Sequence, residues 1–431
     1  MPDVRPFRGI RYNPAKKTAE LSHVTAPPYD VIDEAGRAAL ANRDAHNVVR
    51  LILPEAEGGV DRYTRAGELL DAWLAEGVLV EDAVPGIYVV RQTWSDGEAR
   101  HERTGFIAAV TLEPFGEGKI YPHENTLSAP KEDRLKLIKA TRANLSQVFS
   151  LFPDEKRDVG RWLREVTART PDATTTDDAD VVTTLWCEFD ADRIAALTTM
   201  MSDRELFIAD GHHRYETALN YQRFCAQNAS AGPEAPQSAI MMLCVAMNNE
   251  GLVTYPTHRL LPRKAIDVET LIARLEAQFD VHPIATFSHK PGELDAGMIS
   301  DVTPNLMVLY IGKDRAPMRV EPKKDAALLK NMSDRSAAWR SLDVSILQFG
   351  IFEALLGWTL EDITSGVEIG YVHDADEAVR RVDAGEFAAA FILRPTPVGA
   401  VAAVAAHLEK MPPKSTYFYP KAVTGMVLRR L

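Results

Sequence analysis

A four-residue apolar run, Leu206-Phe207-Ile208-Ala209, meets Asp210-Gly211 and passes at once into helical spacing, with Tyr215, Ala218 and Leu219 at i, i+3 and i+4. A short buried strand that opens straight into a helix belongs to a layered architecture of sheet and helix. Other stretches alternate in the same way. Tyr63, Ala66, Leu70, Trp73 and Leu74 share one face of a helix predicted over 60–76, with Gly77 as its stop. Residues 86–92 read as a strand, Ser95-Asp96-Gly97 as a turn, and 105–110 as the returning strand. A helix is predicted over 133–145. Further strands are predicted over 241–247, 306–311 and 388–393, and further helices over 268–278, 344–356 and 376–381. Hairpins among mixed elements point to α+β rather than a doubly wound sheet.

At 431 residues the chain exceeds what one core usually fills, so two or three packed units are expected. Residues 170–177 and 227–238 have the Pro, Ala, Ser and Thr content of surface connections. A net charge of −12 argues against a general nucleic-acid binder but leaves room for a local basic pocket. Cys187, Cys225 and Cys244 have no C-x-x-C spacing, which fits inert thiols in a reducing compartment. The N-terminus lacks the apolar run of a signal peptide, and residues 398–407 are too few to cross a bilayer. The expectation is a cytoplasmic protein without a membrane partner.

Five polar or permissive residues follow the 206–209 run: Asp210, Gly211, His212, His213 and Arg214. Gly211 permits a tight turn, and the free N–H groups of the helix start favour an anion. Arg214 offers a fork that matches phosphate oxygens, and His212 and His213 can donate to phosphate or relay a proton. Asp210 can hold a divalent cation that bridges phosphates. The competing reading is an elaborate helix cap.

The segment 120–127 puts His123 and Glu124 beside a proline turn, as general base, metal ligand or simple cap. The stretch 130–142 is locally basic. Lys131 and Arg134 share a face near a helix start and could hold a polyphosphate, while Lys136 and Lys139 read as a solvated face. Polar clusters recur at 255–259 and at 414–421, the latter also readable as a packed C-terminal clasp, and Pro27-Pro28 shape a turn that carries Asp30. No Walker loop, G-x-G-x-x-G fingerprint or G-x-S-x-G elbow occurs.

Taken in order, Arg5 to Gly9, Ala26 to Ile32, Pro122 to Glu124, Pro130 to Arg134, Asp210 to Tyr215, Pro256 to Arg259 and Lys414 to Lys421 resemble the family catalogued as domain of unknown function 1015, grouped with SerK-like free L-serine kinases. The resemblance runs over essentially the whole chain. It implies a ParB/sulfiredoxin-like phosphotransfer core with additional N- and C-terminal α+β units. The expected division is an N-terminal unit over 1–120, a core over 121–260 and a C-terminal unit over 261–431. It further implies transfer of a phosphoryl group from ATP, ADP or pyrophosphate, with Mg²⁺, to the hydroxyl of free L-serine. In that scheme Glu124, with His123 beside it, takes the proton, and Asp210 acts through the cation. His212, His213 and Arg214, at the Gly211 turn, hold the donor, and Lys131 and Arg134 offset charge. Two alternatives use the same residues: a ParB-type nucleotide-binding switch and a metal-dependent phosphohydrolase. The partner expected is a small molecule, and the scheme is compatible with a homo-oligomer.

Overall fold

The computed structural model describes residues 3–16, 20–97, 99–124, 128–228, 232, 235–284, 305–365 and 367–431. Contacts divide the chain into two units. The first comprises residues 1–122, 126–253 and 420–431, and the second comprises 123–125 and 254–419. This differs from the expected three-part division at 120 and 260. The reason is a hydrogen-bonded ladder: the strand Ala99–Thr111 pairs antiparallel with Ala239–Ala246, which ties the expected first and second segments into one sheet.

Among the described residues that sheet has nine strands. Its order is Ile120–Tyr121, Leu206–Asp210, Val148–Phe152, Ala239–Ala246, Ala99–Thr111, Ile87–Asp96, Val182–Glu188 and Ala173–Thr176, with Val4–Arg5 added against Ala99–Thr111. The predicted hairpin is present and longer than its apolar residues suggested. Gly97 turns at φ +58, in the left-handed region open to glycine, so Asp96 comes opposite Ala99 and the ladder continues to Tyr88 opposite Ile107.

Two apolar clusters lie in this unit. One gathers Phe106, Ala108 and Val110 from the sheet with Tyr215, Ala218 and Leu219 from the helix His212–Asn228 and with Val159, Trp162 and Val166 from the helix Asp158–Thr167. The other gathers Ala66, Leu70 and Trp73 of the helix Arg62–Ala75 with Leu51, Ile52, Leu137 and Leu428. Asp61 starts that helix by accepting the Tyr63 and Thr64 N–H groups at 3.0 and 3.3 Å.

The helix predicted over 133–145 instead spans Ser128–Thr141. Pro130 fits its first turn, where no N–H is needed, and Arg142 at φ 48 ends it. Ala143–Asn144 then forms a short strand against Leu428–Arg430, which also pairs with Gly9–Tyr12. Residues 428–430 thus complete a sheet that has four strands among the described residues of the first unit.

The second unit carries an antiparallel six-stranded sheet among the described residues, in the order Phe279–Pro283, Met318–Pro322, Met307–Tyr310, Phe387–Ile392, His258–Pro262 and Gly370–Val372. Leu260, Val308, Tyr310, Ala390 and Ile392 form its core with Ala378 and Val382 of the helix Ala375–Asp383. The helix predicted over 344–356 is a single α-turn, Asp343–Ser345, continued by a π-helix, Ile346–Leu355. Cys187 and Cys244 are buried, and burial pushes both thiols up to about 12, as inert thiols require. No helix among the described residues is long and apolar enough to cross a membrane.

Leu428 is 1% exposed within the second cluster of the first unit. Leu428→Ala is therefore expected to cost about 2–5 kcal/mol in denaturant unfolding. An unchanged midpoint would remove the C-terminal strand from the core.

Candidate functional site

The strand Leu206–Asp210 delivers Asp210 to its end, Gly211 follows at φ +92, and the helix begins at His212. A Cβ on Gly211 would also come within 2.9 Å of Arg214 Nε, so glycine is needed for conformation and for space. The turn folds the helix start back onto the strand end. As a result Arg214 donates from Nη2 to Asp210 Oδ2 at 2.5 Å and from Nη1 to the Gln147 carbonyl.

The other Asp210 oxygen takes a hydrogen bond from Lys421 Nζ at 2.7 Å. Lys421 arrives on the C-terminal segment, whose backbone around it is held by side chains of this unit. Gln92 Nε2 donates to the Lys421 carbonyl at 3.0 Å, Arg103 Nη2 to the Pro420 carbonyl, and Gln147 Nε2 to the Val423 carbonyl at 3.0 Å. Arg103 is 2% exposed, and its guanidinium stacks on the Phe149 ring at 4.9 Å. Burial pulls its pKa down to about 9, against the attraction of Asp210. Burial also pushes the Asp210 carboxyl up, but Lys421, Arg214 and His212 outweigh it and hold the group well below the usual carboxylate range. Asp210 is therefore ionised and surrounded by positive charge.

Tyr29, from the Pro27-Pro28 turn, lies at the same place and feels the charges of Arg214, Arg134 and Asp210. Arg134 does not present an open face for a polyphosphate. It stacks on Tyr29 at 4.2 Å, donates to the Ile52 carbonyl at 2.7 Å and pairs with Asp133. Lys131 is likewise paired, with Glu216 at 2.8 Å, and ties one helix to another. Both residues brace the turn's surroundings. Of the residues at the turn, His212 is buried and His213 is half-buried.

The expected magnesium ligand fits poorly. Each Asp210 oxygen already meets a cation, and among the described residues no group of three or more His, Cys, Asp or Glu side chains could hold a metal.

His123 and Glu124 belong to the second unit, and Asp210 belongs to the first. There the structure brings three of the sequence motifs together. Glu124 Oε1 accepts the Lys414 N–H at 3.0 Å, and His123 Nε2 lies 3.0 Å from Thr416 Oγ1. Buried Arg259 donates to the Lys414 carbonyl at 3.0 Å, and Lys414 sits in the left-handed region at φ 59. A carboxylate and a guanidinium thus clamp one strained turn from its two hydrogen-bonding sides. Burial pulls Arg259 down to about 10, offset by Tyr371 and Glu124. Asn125, Thr126 and Leu127 of the same motif lie outside the described residues.

Sequence reasoning missed Arg103 and Gln147 altogether. Arg103 shows no signal, because an arginine beside Arg100 and Glu102 on a hairpin strand reads as part of a solvent-facing charged run. Lys421 was within a noted cluster, but nothing local assigned it to Asp210.

The sequence pattern of a family described as protein of unknown function (DUF1015) matches residues 4–345. No curated protein matches the chain. Among solved structures, a conserved hypothetical protein from Pyrococcus furiosus is similar at 16% identity, over 70% of this chain and 87% of that one, with a TM-score of 0.33. A free serine kinase in complex with AMP is similar at 12% identity, over 70% and 83%, with a TM-score of 0.35. C-terminally truncated SbnI from Staphylococcus aureus is similar at 10% identity, over 74% and 85%, with a TM-score of 0.35.

Because its folded pKa is depressed, Asp210 adds stability above the unfolded carboxylate value of about 3.9, and that stability is lost as pH falls through the folded value. Lys421→Met is expected to cost about 1–3 kcal/mol near neutral pH. The gap between wild type and variant should narrow in acid, read from urea midpoints across pH. A gap independent of pH would mean that Lys421 does not act through Asp210.

Proposed function

We propose that this chain, which belongs to the DUF1015 family, is a nucleotide-dependent phosphotransferase acting on a hydroxyl, with free L-serine as the acceptor implied by its motifs. The observation that carries the reading is the charge at the 210–214 turn. In a chain of net charge −12, Lys421, Arg214 and Arg103 converge on one carboxylate at the start of a 17-residue helix. Cationic side chains outnumber the carboxylate they surround, and the positive end of the helix dipole adds to them. Such a place favours the phosphates of a donor. Phosphoryl transfer asks a protein mainly for positioning and charge neutralisation, which this arrangement supplies.

In this reading Asp210 acts as the counter-ion that fixes Lys421 and Arg214. His212 and His213 at the helix start are the donors toward phosphate. Arg214 is a positioning residue, since its two terminal nitrogens hold Gln147 and Asp210. Glu124 keeps the proton-accepting role as a separate proposal, with its bond from the Lys414 N–H defining the rival role of a loop cap.

Purified protein incubated with L-serine and, in turn, ATP, ADP and pyrophosphate is expected to form O-phosphoserine with at least one donor, read by mass spectrometry. Phosphate release indifferent to serine would favour a phosphohydrolase, and nucleotide binding without product a switch. Glu124→Gln is expected to lower kcat by about 10²–10⁴-fold with little change in donor Kd. A fall in melting temperature with normal turnover would make Glu124 a cap only.

A further inference from the structure

The first unit contains a second basic recess, remote from the 210–214 turn. It is a cleft of about 420 Å³ lined by the hairpin residues Arg91, Arg100, His101, Glu102 and Thr104, by residues of the turn and helix 154–167, and by residues of the loop 246–251. Its place in the sheet separates it from Asp210. Asp210 pairs with Phe149 near the start of the strand Val148–Phe152, whereas the cleft opens past the other end of that strand, at Asp154. Five residues of extended chain put roughly 16 Å between the two levels.

The charges around the cleft do not cancel. Arg91 is paired with Glu102 at 3.2 Å and bonds Thr167 at 2.8 Å, and Asp154 is paired with Arg204 at 2.8 Å. Arg100, Arg157 and Arg164 have no ion pair among the described residues, and Glu250 is the one lining carboxylate in the same condition. Three guanidinium groups thus face one unpaired carboxylate, on a protein that is acidic as a whole.

Two of those arginines are presented on a rigid frame. Arg157 takes φ 52, a left-handed backbone uncommon for a side chain of its size. Buried Asp154 holds it there: its carbonyl accepts the Arg157 N–H at 2.9 Å, and its carboxylate accepts the Gly160 N–H at 2.9 Å. Arg157 is the residue just before the helix Asp158–Thr167, and Gly160 and Arg164, four apart, share one face of that helix, with the glycine placing no side chain beside Arg164. The helix-start N–H groups of Val159 and Gly160 are already taken by Asp158 and Asp154, so side chains are the groups left for recognition.

We infer that this cleft binds a small phosphorylated molecule through Arg100, Arg157 and Arg164, at a site separate from the phosphotransfer turn. The volume suits a compact ligand, and paired guanidinium forks match phosphate oxygens better than point charges do. Asn248, whose amide already donates to the Asp154 carbonyl at 2.8 Å, closes one wall.

The test is titration calorimetry of the full chain with inorganic phosphate as the probe, on wild type, on Arg157→Gln/Arg164→Gln and on Lys421→Met. All three arginines are exposed, so the double variant should melt as wild type does. Two classes of phosphate site are expected in wild type. The double variant should weaken one of them by about tenfold to a hundredfold while ATP binding stays unchanged. Phosphate binding equal in wild type and the double variant would overturn the inference. So would loss of every phosphate site in Lys421→Met.

Discussion

A single ionised carboxylate organises the first unit. Asp210 sits at the end of a buried strand, and its two oxygens accept from Lys421 at 2.7 Å and from Arg214 at 2.5 Å. A carboxylate in such surroundings would be costly alone, so its partners must be held as firmly as it is. Arg214 is held through the Gln147 carbonyl. Lys421 is held through the backbone of its own segment by Gln92, Arg103 and Gln147. The same set of bonds fixes the geometry of the turn and concentrates positive charge at a helix start.

That dependence explains why the chain returns to its beginning. Residues 420–431 leave the second unit to supply Lys421 to the turn and a strand to a sheet otherwise built from Gly9–Tyr12, Leu79–Glu81 and Ala143–Asn144. One segment therefore contributes both to the core and to the electrostatics of the candidate site. A change in either is expected to be felt in the other, because the connecting residues are few and are bonded at Val423 and Thr424.

Much of the local structure was legible. The helix Val268–Gln278 has the predicted bounds, and the helix Arg62–Ala75 buries Ala66, Leu70 and Trp73 from the predicted face. The strand–turn–helix at Asp210 stands where the apolar run and Gly211 put it. The elements read less well were those decided by distant partners. Arg142 ends one helix in a left-handed conformation because Ala143 and Asn144 are needed as a strand by Leu428–Arg430. Lys131 and Arg134 look like an open basic face in sequence, and they are consumed by Glu216, Asp133, Tyr29 and Ile52 in the fold.

What the sequence alone determined is the α+β class, the short-range elements and the identity of the motifs, because hydrophobic period, caps and glycine turns are local properties of a chain. Only the tertiary structure decided which motif meets which. It sent His123 and Glu124 to Lys414, Thr416 and Arg259 in one unit, and Lys421, five residues beyond Thr416, to Asp210 in the other. It also turned Arg103, one of several charges on a hairpin strand, into a buried support of the C-terminal segment. Pairings of this kind reach far along the chain, 329 residues from Gln92 to Lys421, and they follow from which surfaces the sheets bury, which no window of sequence contains.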